Sequence, residues 1–148
     1  MSKRSRRDEI NLDAAKNIAK HLIAHRIWNG LTQTQMGETI GVSFQQYQKM
    51  EKCVNRIYAE DLSVFCNTYS WDISMMYTDP EMMLKEWCDR DYPNAKKKPH
   101  QADCIERKWN NTEISADKNY RRRTKSYNVF KNNEEWVCEP KSLNNMEE

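Results

Sequence analysis

Residues 31–51 read LTQTQMGETIGVSFQQYQKME. All three glycines of the 148-residue chain lie in this stretch or just before it, at Gly30, Gly37 and Gly41. Backbone freedom concentrated in this way marks one tight feature, because glycine enters the left-handed region without a Cβ penalty. Thr32 is a natural helix N-cap, and Gln35 three residues later completes a capping-box pattern. Met36 and Ile40 fall on one face, i and i+4. Gly37 sits mid-helix, where glycine costs about 1 kcal/mol against alanine; such a cost is tolerated where another helix comes close to the backbone. Gly41 then supplies a positive-φ turn, Val42 plugs the core, and Ser43 caps a further helix. In that helix Tyr47 and Met50 point inward, which leaves Phe44, Gln45, Gln48 and Lys49 outward. The stretch therefore reads as two short helices joined by a sharp turn.

Upstream, Leu12, Ala15, Ile18, Ala19, Leu22, Ile23 and Ile27 recur in steps of three and four and define the stripe of an amphipathic helix from Leu12 to Trp28. Gly30 suits the left-handed residue that ends it. The outward residues of 43–51 have a chemistry of their own. A glutamine offers a donor and an acceptor together, as bidentate reading of adenine requires, and a lysine donates to guanine O6 or N7.

With these residues in view, positions 18–77 resemble the phage-repressor/Cro-type, or XRE-like, helix-turn-helix family. The resemblance rests on LTQ at 31–33, the small residue at 37, the turn glycine at 41, IGVS at 40–43 and Glu51 at the end of the third helix. Downstream, Ala59 to Tyr69 reads as a fourth helix with Leu62, Phe65 and Cys66 inward. DISMMY at 72–77 resembles the family's short fifth helix, with Ile73, Met76 and Tyr77 closing the core. The family implies an all-α, five-helix domain that lays its third helix in the major groove of double-stranded DNA. On that basis Phe44, Gln45, Gln48 and Lys49 are the expected base contacts. Gln33, Ser43, Gln46, Lys52, Asn55 and Arg56 are the expected backbone contacts, and Gln33 also braces the third helix. Glu51 is expected to hold the following loop rather than touch DNA. Two residues depart from the family. Cys53 stands where a glycine is usual, which predicts a different path for the loop after the third helix. Tyr47 replaces a small β-branched residue, and its hydroxyl needs a partner or the surface.

The formal charge of +2 does not by itself announce a nucleic-acid partner, so local distribution carries that case. Lys3, Arg4, Arg6 and Arg7, within residues 1–11, form a basic arm able to track phosphates or enter a minor groove, or else a solubilising start. A hydrophobic fraction of 38 % and a mean hydropathy of −1.05 predict one compact core over residues 12–78 and a looser second half. Asp79-Pro80-Glu81 starts an additional helix over 79–92, with Met82, Met83, Trp87 and Cys88 along it. That helix either serves as a dimer contact or folds back onto its own domain. Residues 93–148 read as a poorly structured or small C-terminal extension. It comprises a linker, AKKKPHQ, and a polar stretch with isolated Trp109, Tyr120, Tyr127, Phe130 and Trp136. RRRTKSY at 121–127 is a solvated basic cluster, and short strands are expected at Ser126–Phe130 and Glu135–Cys138 with KNN between them.

Five scattered cysteines, an odd number, suit reduced thiols. Cys88, His100, Cys104 and Cys138 are a nominal four-ligand set, but the spacings match no common zinc module, and no metal or cofactor is expected. His21 and His25, one turn apart, read as surface histidines. No apolar run follows the basic start, and none reaches the roughly 20 residues that span a bilayer, so a cytoplasmic protein without membrane contact is expected. With three glycines there is no phosphate-cradling loop, and no GxSxG or Ser–Lys self-cleavage pattern is present, so an enzyme is not expected. The function expected is that of a homodimeric transcriptional regulator, a repressor of phage or mobile-element type. The alternative is an antitoxin-like module whose residues 93–148 fold on a protein partner while the first half autoregulates. A thiol- or metal-responsive sensor using Cys53 or the Cys88/His100/Cys104/Cys138 set is a third, weaker option.

Overall fold

Helix α1 runs from Arg6 to Trp28 and organises everything around it. The computed structural model describes residues 6–125, 127–132 and 135–140, with side-chain surroundings from residue 9 to 118. Arg6 and Arg7, expected in a free arm, thus begin α1, whereas Lys3 and Arg4 lie outside the described residues. Along α1 the run from Ala19 to Arg26 is buried without interruption, because two separate clusters claim opposite sides of the helix. His21 and His25 fall inside that run at 0 % and 5 % exposure, so the expectation of surface histidines is wrong.

The first cluster is built by α2 (Gln33–Ile40), α3 (Phe44–Glu51) and α4 (Ala59–Tyr69) against one side of α1. Leu22, Met36, Tyr47, Leu62, Phe65, Cys66 and Met76 are its buried members. The Tyr47 and Phe65 rings meet edge to face at 5.9 Å, a favoured aromatic geometry. The expected fifth helix is a single 3-10 turn, Ile73–Tyr77, capped by Asp72. So short a turn offers the core only Met76; Ile73 and Tyr77, expected inside, are 41 % and 63 % exposed.

The second cluster joins Ile23 and Ala24 of α1 to α5 (Pro80–Asp91) and α6 (His100–Lys125). Asp79 caps α5 by accepting from the Glu81 N–H at 3.0 Å, with proline in the first turn. Met83 and Leu84 are buried, so the apolar side of this helix folds back on its own domain, and Met82 is left 62 % exposed. On α6, Ala102, Ile105, Trp109, Thr112 and Ala116 are buried at alternating steps of three and four, one continuous seam. Trp109 donates its indole N–H to the Lys20 carbonyl at 2.9 Å, and Glu113 accepts from Lys20 at 2.8 Å.

The chain divides into a compact unit ending at Ala116 and a second unit from Asp117. The chain therefore divides at residue 116 and not at the expected residue 93: α6 docks through its seam, and residues 93–116 belong to the first unit. In the second unit α6 continues to Lys125, which includes most of the basic cluster RRRTKSY. Strands β1 (Tyr127–Asn132) and β2 (Glu135–Pro140) follow and pair antiparallel, Val129 opposite Cys138. Among the described residues no helix is long and apolar enough to cross a membrane. Cys53, Cys66, Cys88 and Cys104 are free thiols. His100 Nε2 lies 3.4 Å from Cys104 Sγ, and no group of three metal-ligating side chains forms among the described residues; the Cys138 side chain lies outside them.

Candidate nucleic-acid interface

The turn between α2 and α3 is made by backbone geometry that the sequence dictates. Gly41 is left-handed at φ 74°, and the Val42 N–H returns to the Gly37 carbonyl at 2.9 Å. A Cβ on Gly37 would stand 2.9 Å from the Val42 carbonyl oxygen and 3.2 Å from that of Ser43. The close approach at this glycine thus comes from the turn and from the N-cap of α3, the start of the neighbouring helix. Capping boxes then start both helices. Thr32 and Gln35 exchange bonds at 3.1 and 2.8 Å, and Ser43 and Gln46 at 3.1 and 3.3 Å. The second box engages the Gln46 carbonyl oxygen, so this side chain keeps only its NH2 group for another partner.

Phe44, Gln45, Gln46 and Lys49 are exposed along the outer face of α3, and Gln48 is half-buried beside them. The opposite side is fixed. Tyr47 is fully buried, and Glu51, the last residue of the helix, is 2 % exposed. Its carboxylate accepts from Arg26 Nε at 2.5 Å and Nη2 at 3.1 Å, and from the Gln33 amide at 2.9 Å. Arg26 also donates to the Leu31 carbonyl at 3.2 Å. A bidentate guanidinium–carboxylate pair of this kind is strongly directional. Glu51 thus ties α3 to α1 and to the chain entering α2. Gln33 is found bracing the third helix, as expected. The Tyr47 hydroxyl has no partner in hydrogen-bonding geometry. Burial raises its pKa well above the phenolic range, and the neighbouring Glu51 carboxylate adds to the effect.

The loop after α3 corrects the expectation raised by Cys53. This residue is left-handed at φ 58°, the conformation a glycine would take there, at a cost of roughly 1–2 kcal/mol for a residue with a Cβ. Its N–H bonds the Met50 carbonyl at 3.1 Å, and the Val54 N–H bonds that of Lys49 at 2.9 Å. This pair of bonds is a Schellman closure with cysteine in the glycine position. The loop consequently turns as a glycine would turn it, and Lys52, Asn55 and Arg56 are exposed on it. Between Ser43 and Tyr58 the only carboxylate is Glu51, and it is buried. The exposed charge of α3 and its loop is therefore wholly positive, from Lys49, Lys52 and Arg56.

Sequence reasoning brought together the outer face of α3 but passed over Arg26. A signal existed: Arg26 occupies a stripe position of α1, one turn beyond Leu22 and Ile23, where a charge must find a buried partner. Thr112, which reaches this site from α6, gave no local signal.

An all-α unit in which two capped short helices meet at a glycine turn defines a helix-turn-helix protein. Comparison with known proteins agrees. The chain is 36 % identical over 78 residues to an uncharacterized HTH-type transcriptional regulator of Sinorhizobium fredii, covering 53 % of each chain. It is 30 % identical over 99 residues to one of Rickettsia conorii, covering 67 % of this chain and 74 % of the relative. A third, from Rhizobium meliloti, is 30 % identical over 63 residues, or 43 % of this chain and 45 % of its own. The chain belongs to the HTH-type transcriptional regulators. It spans about half the length of the first curated relatives it matches. No family model and no solved structure matches it.

Proposed function

We propose that this protein is a sequence-specific DNA-binding repressor of the Cro/XRE-like, phage or mobile-element type, acting in the cytoplasm as a homodimer. The observation that carries the reading is the outer face of α3, where exposed amide, ammonium and aromatic groups stand on a helix whose other side is anchored in the core. Gln45 and Gln48 suit adenine, Lys49 suits guanine, and Phe44 packs on a thymine methyl. Lys52, Asn55 and Arg56 contact phosphate from the loop. Gln33, Ser43 and the free NH2 of Gln46 do so from the helix starts, and Lys3, Arg4, Arg6 and Arg7 from the beginning of the chain.

Dimerisation follows from information content. One short helix reads about four base pairs, a word that recurs about once in 250 base pairs, so two half-sites one helical turn apart are needed for a unique operator. The exposed Ile73, Tyr77 and Met82 supply apolar surface for such a contact. Occupying a pseudo-palindromic operator excludes other proteins from it, which is repression in its simplest form.

The test is selection of bound duplexes from a randomised pool at two salt concentrations. Recovery of a two-fold symmetric motif, with affinity falling steeply as salt rises, is the expected result. Recovery of no motif at either concentration would remove the reading.

A further inference from the structure

The last turn of an α-helix leaves carbonyls that nothing within the helix can satisfy. In α3 their partners can be followed one by one. The Gln48 carbonyl accepts from the Lys52 N–H, that of Lys49 from Val54 and Asn55, and that of Met50 from Cys53. The Glu51 carbonyl alone is served from far away in the chain: Thr112 of α6 donates its hydroxyl to it at 2.7 Å. Thr112 is 1 % exposed and sits in the seam otherwise formed by Ala102, Ile105, Trp109 and Ala116. A hydroxyl in such a seam costs free energy unless it is hydrogen-bonded, and the bond it makes is to the end of the helix that faces DNA.

We propose that Thr112 is a positioning residue for the recognition helix, and that α6, outside the helix-turn-helix itself, sets the angle at which α3 is presented. Glu51 is gripped at its carboxylate by Arg26 of α1 and Gln33 of α2 and at its carbonyl by α6. The carboxylate bonds reach sideways from α3 and fix its rotation, and the carbonyl bond, which runs along the helix axis, fixes the height and tilt of its end. The neighbouring Trp109–Lys20 bond and the Lys16 and Lys20 pairs with Glu113, at 3.3 and 2.8 Å, hold α6 against α1 at the same level. An error of tilt at this point would displace Gln45 and Lys49 together, so base discrimination suffers while non-specific phosphate binding does not.

The inference rests on the DNA-reading role proposed above, and the experiment separates the two. With the full chain, affinity is measured for the selected duplex and for a scrambled one in wild type, Thr112→Val, Thr112→Ser, Trp109→Phe and Gln45→Ala. Thr112→Val keeps shape and removes the donor, and the ratio of specific to non-specific affinity should fall about five- to tenfold. Thr112→Ser should restore the ratio to within about twofold of wild type. Trp109→Phe, which removes the neighbouring bond between α6 and α1 but leaves the Thr112 donor in place, should lower the melting temperature and reduce the ratio less than Thr112→Val does. If Thr112→Val fails to fold, Thr112→Cys carries the test, since its weaker donor should give a lower ratio than serine. A wild-type ratio in Thr112→Val or in Thr112→Cys, beside a reduced one in Gln45→Ala, overturns the positioning role and spares the DNA reading. A ratio of one in the wild type overturns both.

Discussion

The two sides of α3 follow opposite rules. Its outer face, Phe44, Gln45 and Lys49, is exposed, with the neighbouring Gln46 amide engaged in the Ser43 cap. Its inner side, Tyr47 and Glu51, is buried and tied by Arg26, Gln33 and Thr112. One eight-residue helix thus separates what can vary from what cannot. Substitutions outside should alter the sequence read at little cost to the fold, and substitutions inside should alter the fold.

The separation can be attacked first at its strongest point. Arg26→Met leaves the Glu51 carboxylate buried without its cation and should cost about 3–5 kcal/mol, read by urea unfolding. Adding Glu51→Leu should recover part of the loss, because the uncompensated charge goes with it. A loss below about 1 kcal/mol in the single variant would mean that the pair is not the anchor.

Acid should find the interior behind α3, on α1, next. His25 packs against Trp71 and Trp87 at ring distances of 4.8 and 5.0 Å and donates Nδ1–H to the His21 carbonyl at 2.8 Å. Burial lowers its pKa to about 4, against the counter-effect of that bond. His21, whose Nε2 reaches the Thr78 carbonyl at 2.7 Å, is lowered by burial as well. A histidine held neutral in the fold takes up a proton only in the unfolded chain, so its stabilisation is complete above pH 6.5 and is lost as pH falls toward 4. For His25 the full loss is on the order of 3 kcal/mol. Melting curves between pH 7 and 5 should show stability falling, less steeply in His25→Gln and unchanged in slope in Gln45→Ala. A flat wild-type profile would contradict the burial of these rings.

A smaller effect is expected at the turn. In Gly37→Ala the gain in helix propensity, about 1 kcal/mol, is opposed by a Cβ set 2.9 Å from a backbone oxygen that cannot move away cheaply. The net should be destabilising by about 1–2 kcal/mol in thermal unfolding, and a stabilised variant would show that the turn yields. Phe44→Ala, at the far end of the scale, should change stability by less than about 0.5 kcal/mol. A larger loss there would mean that the outer face belongs to the core.

The same contrast explains what could be read in advance. Helices α2, α3 and α4 announce themselves through local chemistry: Thr32 and Ser43 as caps, Gly41 as the turn, and Leu62, Phe65 and Cys66 at helical spacing. These signals act within a few residues, so the chain carries them openly. Helix α6 has no such signals. Its seam is alanine, isoleucine, tryptophan, threonine and alanine in a polar surround, and it becomes a helix face only once α1 and α5 cover it. His21 and His25 misled for the same reason, since nothing nearby in the sequence says that α1 is covered on two sides. At the site, the outer residues of α3 were legible because a cap and a core position fix which way a short helix faces. Arg26 and Thr112 were not, because their partners lie 25 and 61 residues away.

The most direct measurement takes the selected duplex and every single-base variant of it and compares wild type with Gln45→Ala, alongside the melting temperature of each. Preference should relax at one position in each half-site, at a cost of about 1–3 kcal/mol on the cognate base, with the melting temperature unmoved. A uniform loss across all positions, or no change at any, would contradict the assignment of the outer face of α3 as the surface that reads DNA.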